Sequence, residues 1–403
     1  MTRPLIIAID GPSASGKSAL GRMLARELGL LYIDTGSMYR ALALAVIESS
    51  TNERDDLAVS ALAERITIDL AGDRFAQADH AVVSTDGHAW QHTSAGEKQG
   101  ARIIYKQKID AAQAWFAWGP PLGNDEAAAI IKSAATNCAE AEAFELCRSR
   151  ENRAVWALRL SPPTDGDMGT LSTSFPPNRR HGVFVTARQH AWECGGSWVS
   201  RGLIEWLTSD DPRAAEIRRS TTFEILPVMD VDNVARGAGG KEENPQDHNR
   251  DWTDHPYHPA VAAAQREIMR MNAANEFDLF IDLHNPGPTE KASVFFVSPR
   301  NIVSSHGQAN LEHFLAAAQN EMNGPIPLRV EPRESGPSYD ARWRQIGKNW
   351  VTQHAADRVV SVTLETAWNT PQSTSEGYLT TGRQLGMAIA RYFRESEKRA
   401  AAE

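Results

Sequence analysis

From residue 150 onward the chain alternates between two hydrophobic periods. Largely apolar and β-branched runs at 182–187, 222–229, 277–283 and 358–364 read as buried strands, and 154–160 reads as another. Between and after them, apolar residues recur at helical spacing over 197–207, 259–272, 311–322 and 381–394. Strands separated by amphipathic helices predict an α/β fold with a doubly wound sheet, here a mixed sheet flanked by helices. The preceding stretch differs. Residues 75–100 are polar and without a long period, 101–105 and 114–118 read as short strands, 125–135 as a helix, and 149–152 as a turn. At the front, 4–10 reads as a buried strand, followed by a helical pattern through Leu20, Met23, Leu24 and Leu28. Three parts follow: a βα fragment over 1–75, a small β-rich segment over 76–150, and a large α/β domain over 151–403.

Composition narrows the function classes. With 403 residues, 41% of them apolar, the chain can bury a sizeable core. A net charge of −9 without a basic block excludes a nucleic-acid or anionic-membrane surface. Cys138, Cys147 and Cys194 are odd in number and lack CxxC spacing, which argues for a reducing compartment; the cytoplasm is expected. No apolar run approaches the roughly 18 residues a bilayer span needs. His80, His88 and His92 lie in a polar stretch and read as solvated surface rather than a metal site. The sequence leaves the oligomeric state open.

The segment from Gly11 to Ser18 matches GxxxxGK[ST] between a strand and a helix. In that context, backbone N–H groups around Gly11 and Gly16 wrap phosphates, Lys17 reaches their outer oxygens and Ser18 can hold Mg²⁺. ATP with Mg²⁺ is the ligand such a loop would take. The stretch IDGPSASGKSALGRMLARELGLLYIDTGSMYRALAL resembles the start of bacterial cytidylate kinase. The resemblance fades by about residue 75, and the family's base pocket and arginine-rich lid have no counterpart. A fused fragment is expected, with CMP-kinase-type phosphoryl transfer as an alternative function.

The main chemistry sits at strand ends. His190 and Glu193 form an HxxE pair just after the 182–187 run, His284 ends FIDLH, and Glu365 ends VTLE. An imidazole and a carboxylate three residues apart can face one ion, and a distant histidine with an open fourth position completes a catalytic zinc site. Ligands of open α/β sheets bind at the carboxyl ends of strands, where these residues fall. Asn249 and Arg250 offer an amide and a planar guanidinium suited to a carboxylate.

ARQHAWE, DHNRDW, FIDLH and VTLE, in that order, resemble the zinc carboxypeptidases and specifically their cytosolic carboxypeptidase branch, over roughly residues 85–395. AWFAWGPPLGNDEA is similar to the end of the small β domain that precedes catalysis there. The resemblance implies Zn²⁺ on His190, Glu193 and His284, Asn249 and Arg250 on the substrate's terminal carboxylate, and Glu365 as general base. Asp282, on the same strand face as His284, can orient a ligand imidazole. An oxyanion-stabilising cation is implied upstream of Asn249, and Arg236 or Lys241 can fill it. The family's mobile tyrosine falls nearest to Tyr339, with Trp343 in the same window. The expected function is a metallocarboxypeptidase acting on C-terminal residues of peptides or protein tails, with deacylation of a small N-acyl amino acid as the alternative within this fold. A cationic group in the specificity pocket would favour acidic tails.

Overall fold

The computed structural model describes residues 46, 49, 51, 52, 55–63, 78–99, 102–162 and 180–400. The chain divides at Gly72/Asp73 into two units. In the first, helix α1 (Asp56–Ala63) is described; Gly11, Gly16, Lys17 and Ser18 lie outside the described residues.

The second unit opens with short antiparallel strands. β1 (Val82–Ser84) pairs with both β2 (Gln91–His92) and β5 (Trp115–Ala117), while β3 (Glu97–Gln99) and β4 (Arg102–Ile104) form a hairpin. Polar contacts tie this segment to the rest of the unit. Asp79 accepts from Lys291 Nζ at 2.7 Å and donates its N–H to Asn369 at 2.8 Å, and Trp118 stacks on Trp368.

The large sheet begins earlier than the hydrophobic runs indicate. Helix α2 (Asn124–Asn137) leads into β6 (Ala141–Arg148), which pairs with β7 (Ala154–Leu160). The expected boundary at 150 therefore falls in the turn of a hairpin that belongs to this sheet. β6 alternates between part-buried and exposed positions and is rich in Ala and Glu, so its strand character is weak in sequence. β8 (His181–Ala187), α3 (Cys194–Leu207), α4 (Pro212–Arg218), β9 (Thr221–Leu226) and α5 (Val231–Arg236) follow. Next come α6 (Pro259–Ala273), β10 (Leu279–His284), β11 (Val294–Val297), α7 (Ser305–Glu321), β12 (Arg333–Glu334), α8 (Gly347–His354), β13 (Val360–Glu365) and α9 (Ser375–Ala400).

Eight strands lie in the order β12-β11-β13-β10-β8-β9-β7-β6. The centre, β13-β10-β8-β9, is parallel, and antiparallel strands flank it. Central parallel strands are covered on both faces, and β8 and β10 are buried at every position. One face carries Val183, Val185, Leu279, Ile281, Val360 and Val362, packed under α3, α7 and α9. The other carries Phe184 and Phe280 against α6 and α8. Further along that second face the alternation delivers Thr186, Asp282, His284, Thr363 and Glu365. The sheet thus changes from an apolar floor to a polar one within three residues. Among the described residues, no helix is long and apolar enough to cross a membrane.

Helices α3 and α9 meet through glycine. A Cβ on Gly382 would lie 2.0 Å from the Val199 carbonyl oxygen, and one on Gly202 would lie 2.2 Å from that of Leu379. Gly382→Val should therefore destabilise the domain by about 1–3 kcal/mol or more, read as a lower denaturant midpoint. Gly239→Ala, where nothing lies within 4 Å of the added carbon, should leave the midpoint unchanged.

Candidate metal centre and cleft

The turn after β8 places the first ligands. Arg188 adopts a left-handed conformation (φ 62°), rare for a residue with a side chain. Its guanidinium holds the bend by donating to the carbonyls of Ala191 at 2.8 Å and Leu122 at 2.9 Å. Trp192 N–H donates to Gly239 O at 3.1 Å, which ties the turn to the loop after α5. His190 and Glu193 are both buried as a result.

His284 arrives from β10 to complete the group, and the ligand atoms of His190, Glu193 and His284 lie within 4.8 Å of one another. His190 Nδ1 is 2.9 Å from Glu193 Oε1, and His284 Nδ1 is 2.6 Å from Glu193 Oε2. The opposite nitrogen of each ring faces another carboxylate: His190 Nε2 lies 3.2 Å from Asp247, and His284 Nε2 lies 2.8 Å from Asp282. Burial opposes charging His190, but Glu193 and Asp247 outweigh it and raise its pKa; for His284, Asp282 and Glu193 outweigh burial and raise the pKa well above the ordinary value. Burial by itself would raise the Glu193 pKa, yet the two imidazoles hold it far below the usual carboxylate range. Three carboxylates around two imidazoles make a site that requires positive charge.

The donor set fits zinc. Two imidazole nitrogens and one carboxylate oxygen are a common catalytic set, and zinc bonds of about 2.0–2.1 Å separate tetrahedral donors by about 3.3 Å. The observed separations of 2.9 and 2.6 Å are shorter than this, so the donors would part to admit the ion. Both rings are already oriented through their far nitrogens, as metal-binding histidines generally are.

Asp282 is the hub of this orientation. It accepts from Thr186 Oγ1 at 2.7 Å and from Gln189 Nε2 at 2.6 Å, and Gln189 Oε1 accepts from Trp252 Nε1 at 2.8 Å. The orienting role considered for Asp282 thus has direct contacts. Asp247 and Gln189 were not singled out by the sequence reasoning; the available signal was a polar residue beside each motif residue.

Glu365 stands opposite His284 in the β10–β13 register. Its Oε2 is buried without a hydrogen-bond partner, and burial raises its pKa. A cleft of about 20 Å³ joins it to His190, Lys241, Asn249, Arg250, Tyr339 and Lys348. Arg250 is buried and donates to Asp340 at 2.8 Å; Asn249 Oδ1 accepts from Gly347 N–H at 3.1 Å. Tyr339 is 48% exposed, with its ring against Phe296. Desolvation in the cleft and the Glu365 charge push its phenol up to about 12. Trp343 is buried in a short 3₁₀ turn.

Arg236 does not join the group. It sits in the last turn of α5, half exposed, and pairs with Glu151. Of the two cations considered upstream of Asn249, Lys241 lines the cleft. Lys348 was missed altogether. It is buried at the start of α8, donates to Ser335 Oγ and to Asn349 Oδ1 at 2.9 Å, and burial lowers its pKa to about 7.

Removing the carboxylate behind His190 tests this orientation. Asp247→Ala should weaken zinc binding about 10–100-fold, measured by competition with a chromogenic chelator at fixed pH.

Comparison with known proteins agrees with this geometry. Residues 128–288 match the family model described as zinc carboxypeptidase, and residues 7–88 match that of cytidylate kinase. Cytosolic carboxypeptidase 2 of Danio rerio is 30% identical over 152 residues, which is 37% of this chain and 20% of that protein. The cytidylate kinase of Chloroflexus aggregans is 54% identical over 70 residues, 17% of this chain and 30% of that protein. The chain therefore spans a third or less of the length of these relatives. A metallo-carboxypeptidase structure from Burkholderia cenocepacia superimposes with a TM-score of 0.66 at 20% identity, covering 81% of this chain and 83% of that one; this likeness is one of fold. Residues 128–288 are thus similar to zinc carboxypeptidases and residues 7–88 to cytidylate kinase, and His190, Glu193 and His284, a group able to hold a metal, lie on a carboxypeptidase-like fold.

Proposed function

We propose that this chain is a metallocarboxypeptidase that removes C-terminal residues from peptides or protein tails. The observation that carries the reading is one cleft lined by His190 of the three-donor metal group, by Glu365 with its unpartnered buried oxygen and by the buried guanidinium of Arg250. Zinc, when bound by His190, Glu193 and His284, supplies a Lewis acid that brings a water's pKa toward about 7. Glu365 takes the proton of the attacking water and hands it to the leaving amine. Burial raises its pKa above the ordinary carboxylate value, which eases its passage through the protonated form between the two halves of that transfer.

Arg250 and Asn249 hold the terminal carboxylate. Asp340 fixes the guanidinium through Nε and so sets the direction of its other nitrogens. Lys241 faces the oxygen that gains charge during attack, as a point charge without a planar fork. Tyr339, at the half-exposed rim, stays protonated through neutral pH and can donate to the substrate. Lys348 terminates the pocket that receives the last side chain. With its ammonium form available near neutrality, it favours an acidic residue there.

Three outcomes follow. Glu365→Gln should keep its zinc by elemental analysis and lose at least about 10²–10⁴-fold in kcat, assayed as C-terminal trimming of a peptide library; equal rates would remove the assigned base. The preference for C-terminal glutamate over leucine, read as a kcat/KM ratio, should fall as pH rises through about 7, because the Lys348 ammonium is lost over that range. Lys348→Met should cut this preference about 10- to 100-fold and flatten its pH dependence.

A further inference from the structure

A second group of donors lies beside the substrate clamp and has no part in the chemistry above. Glu243, His248 and His258 present ligand atoms within 4.8 Å of one another. His248 Nδ1 lies 3.7 Å from Glu243 Oε2 and 3.9 Å from Asp230 Oδ2, and His258 Nε2 lies 3.9 Å from the same Glu243 oxygen. These separations are too long for hydrogen bonds, yet close to the spacing of donors around one ion. The side chain of His248 is 7% exposed and its Nδ1 has no hydrogen-bond partner, although it points at two carboxylates. The two imidazoles stack at 3.8 Å and turn nitrogens toward the same Glu243 oxygen. His258 Nε2 donates to the carbonyl of Gln246 at 2.8 Å, a proton that an ion bound there would displace.

The carboxylates are crowded as well. Asp230 is fully buried, and the amide nitrogen of Asn233 touches Asp230 and Glu243 at once, at 2.9 Å each. Gly240, at φ 82°, leaves no room for a side chain there: a Cβ would lie 2.5 Å from Asp230 Oδ2 and 2.8 Å from Ala191 N.

We propose that Glu243, His248 and His258 form a second divalent-cation site, with Asp230 and the Gln246 carbonyl beside it. Two imidazoles with carboxylate and carbonyl oxygens suit a borderline transition ion such as Zn²⁺ over Ca²⁺. The ion fastens the loop between α5 and α6 at both ends. That loop carries Lys241, Asp247, Asn249 and Arg250, so the site positions the clamp and the carboxylate behind His190 without touching substrate.

Metal counting tests it. The intact protein is loaded with Zn²⁺, passed over chelating resin and analysed by plasma mass spectrometry. Two ions per chain are expected for the wild type and one for each of Glu243→Gln, His258→Gln and His190→Ala. One ion in the wild type, or two in Glu243→Gln, overturns the proposal. Should the variants not fold, wild-type crystals decide. A zinc-edge anomalous peak among Glu243, His248 and His258 is expected beside the one at His190, and a map with only the latter sinks the site. In calcium competition, displacement of the second ion by millimolar Ca²⁺ would contradict the donor argument.

Discussion

A carboxylate with no water to solvate it has to find every partner inside the protein, and Asp282 is such a carboxylate. It lies in the middle of a parallel sheet and accepts from Thr186 on the neighbouring strand and from Gln189 on the turn beyond it. Its remaining contact, with His284, sets how that ring is turned. Gln189 is in turn held by Trp252, and Trp252 packs on Phe280 one pleat below. The polar centre is thus anchored in the apolar floor beneath it. Loss of any member would leave a buried charge or donor unsatisfied, which costs about 1–3 kcal/mol or more each.

The strand pleat explains why so much of this was legible before any coordinates. In β8, β10 and β13 one face must be apolar throughout, so a polar residue on the opposite face near the strand end stands out. His284 and Glu365 fall at such positions, in register with each other. The glycine-loop segment was equally plain in sequence, since 7–88 matches a kinase family model. What sequence hid was of another kind. β6 mixes exposed glutamates with part-buried alanines, and β11 has only four residues, so neither offers a clear period. Lys348 reads as surface in any sequence, because lysine almost always is. Its burial comes from α8 packing its first turn against the sheet, where Ser361 donates to the Lys348 carbonyl.

The choice between Arg236 and Lys241 shows the limit of spacing alone. The two lie five positions apart on one segment, and spacing does not choose between them, although only the arginine carries a planar fork. Structure separates them through helix α5: its C-terminal cap at Gly237, in the left-handed region, ends the helix just after Arg236. Arg236 is thereby committed to the helix end and to Glu151. Lys241 lies beyond the turn at Gly240, where the chain has doubled back against Ala191. A backbone reversal, with no signature beyond glycine, decides which cation reaches the cleft.

That reversal also bears on how the two donor groups relate. Between α5 and α6 the chain has no strand, and its described regular structure is the single turn His248–Arg250. A loop of this kind ordinarily samples many conformations, yet Asp247 must stay within bonding distance of His190 while Arg250 keeps its bond to Asp340. Asp251 contributes by accepting from the N–H groups of Tyr257 at 2.9 Å and His258 at 2.7 Å, which closes the far end of the loop. The near end rests on Asp230, Asn233 and Glu243, a crowded pair of carboxylates sharing one amide. Like charges in that arrangement repel. A cation among Glu243, His248 and His258 would turn that repulsion into attraction, and the stiffness of the substrate clamp would then be set by an ion that the substrate never meets.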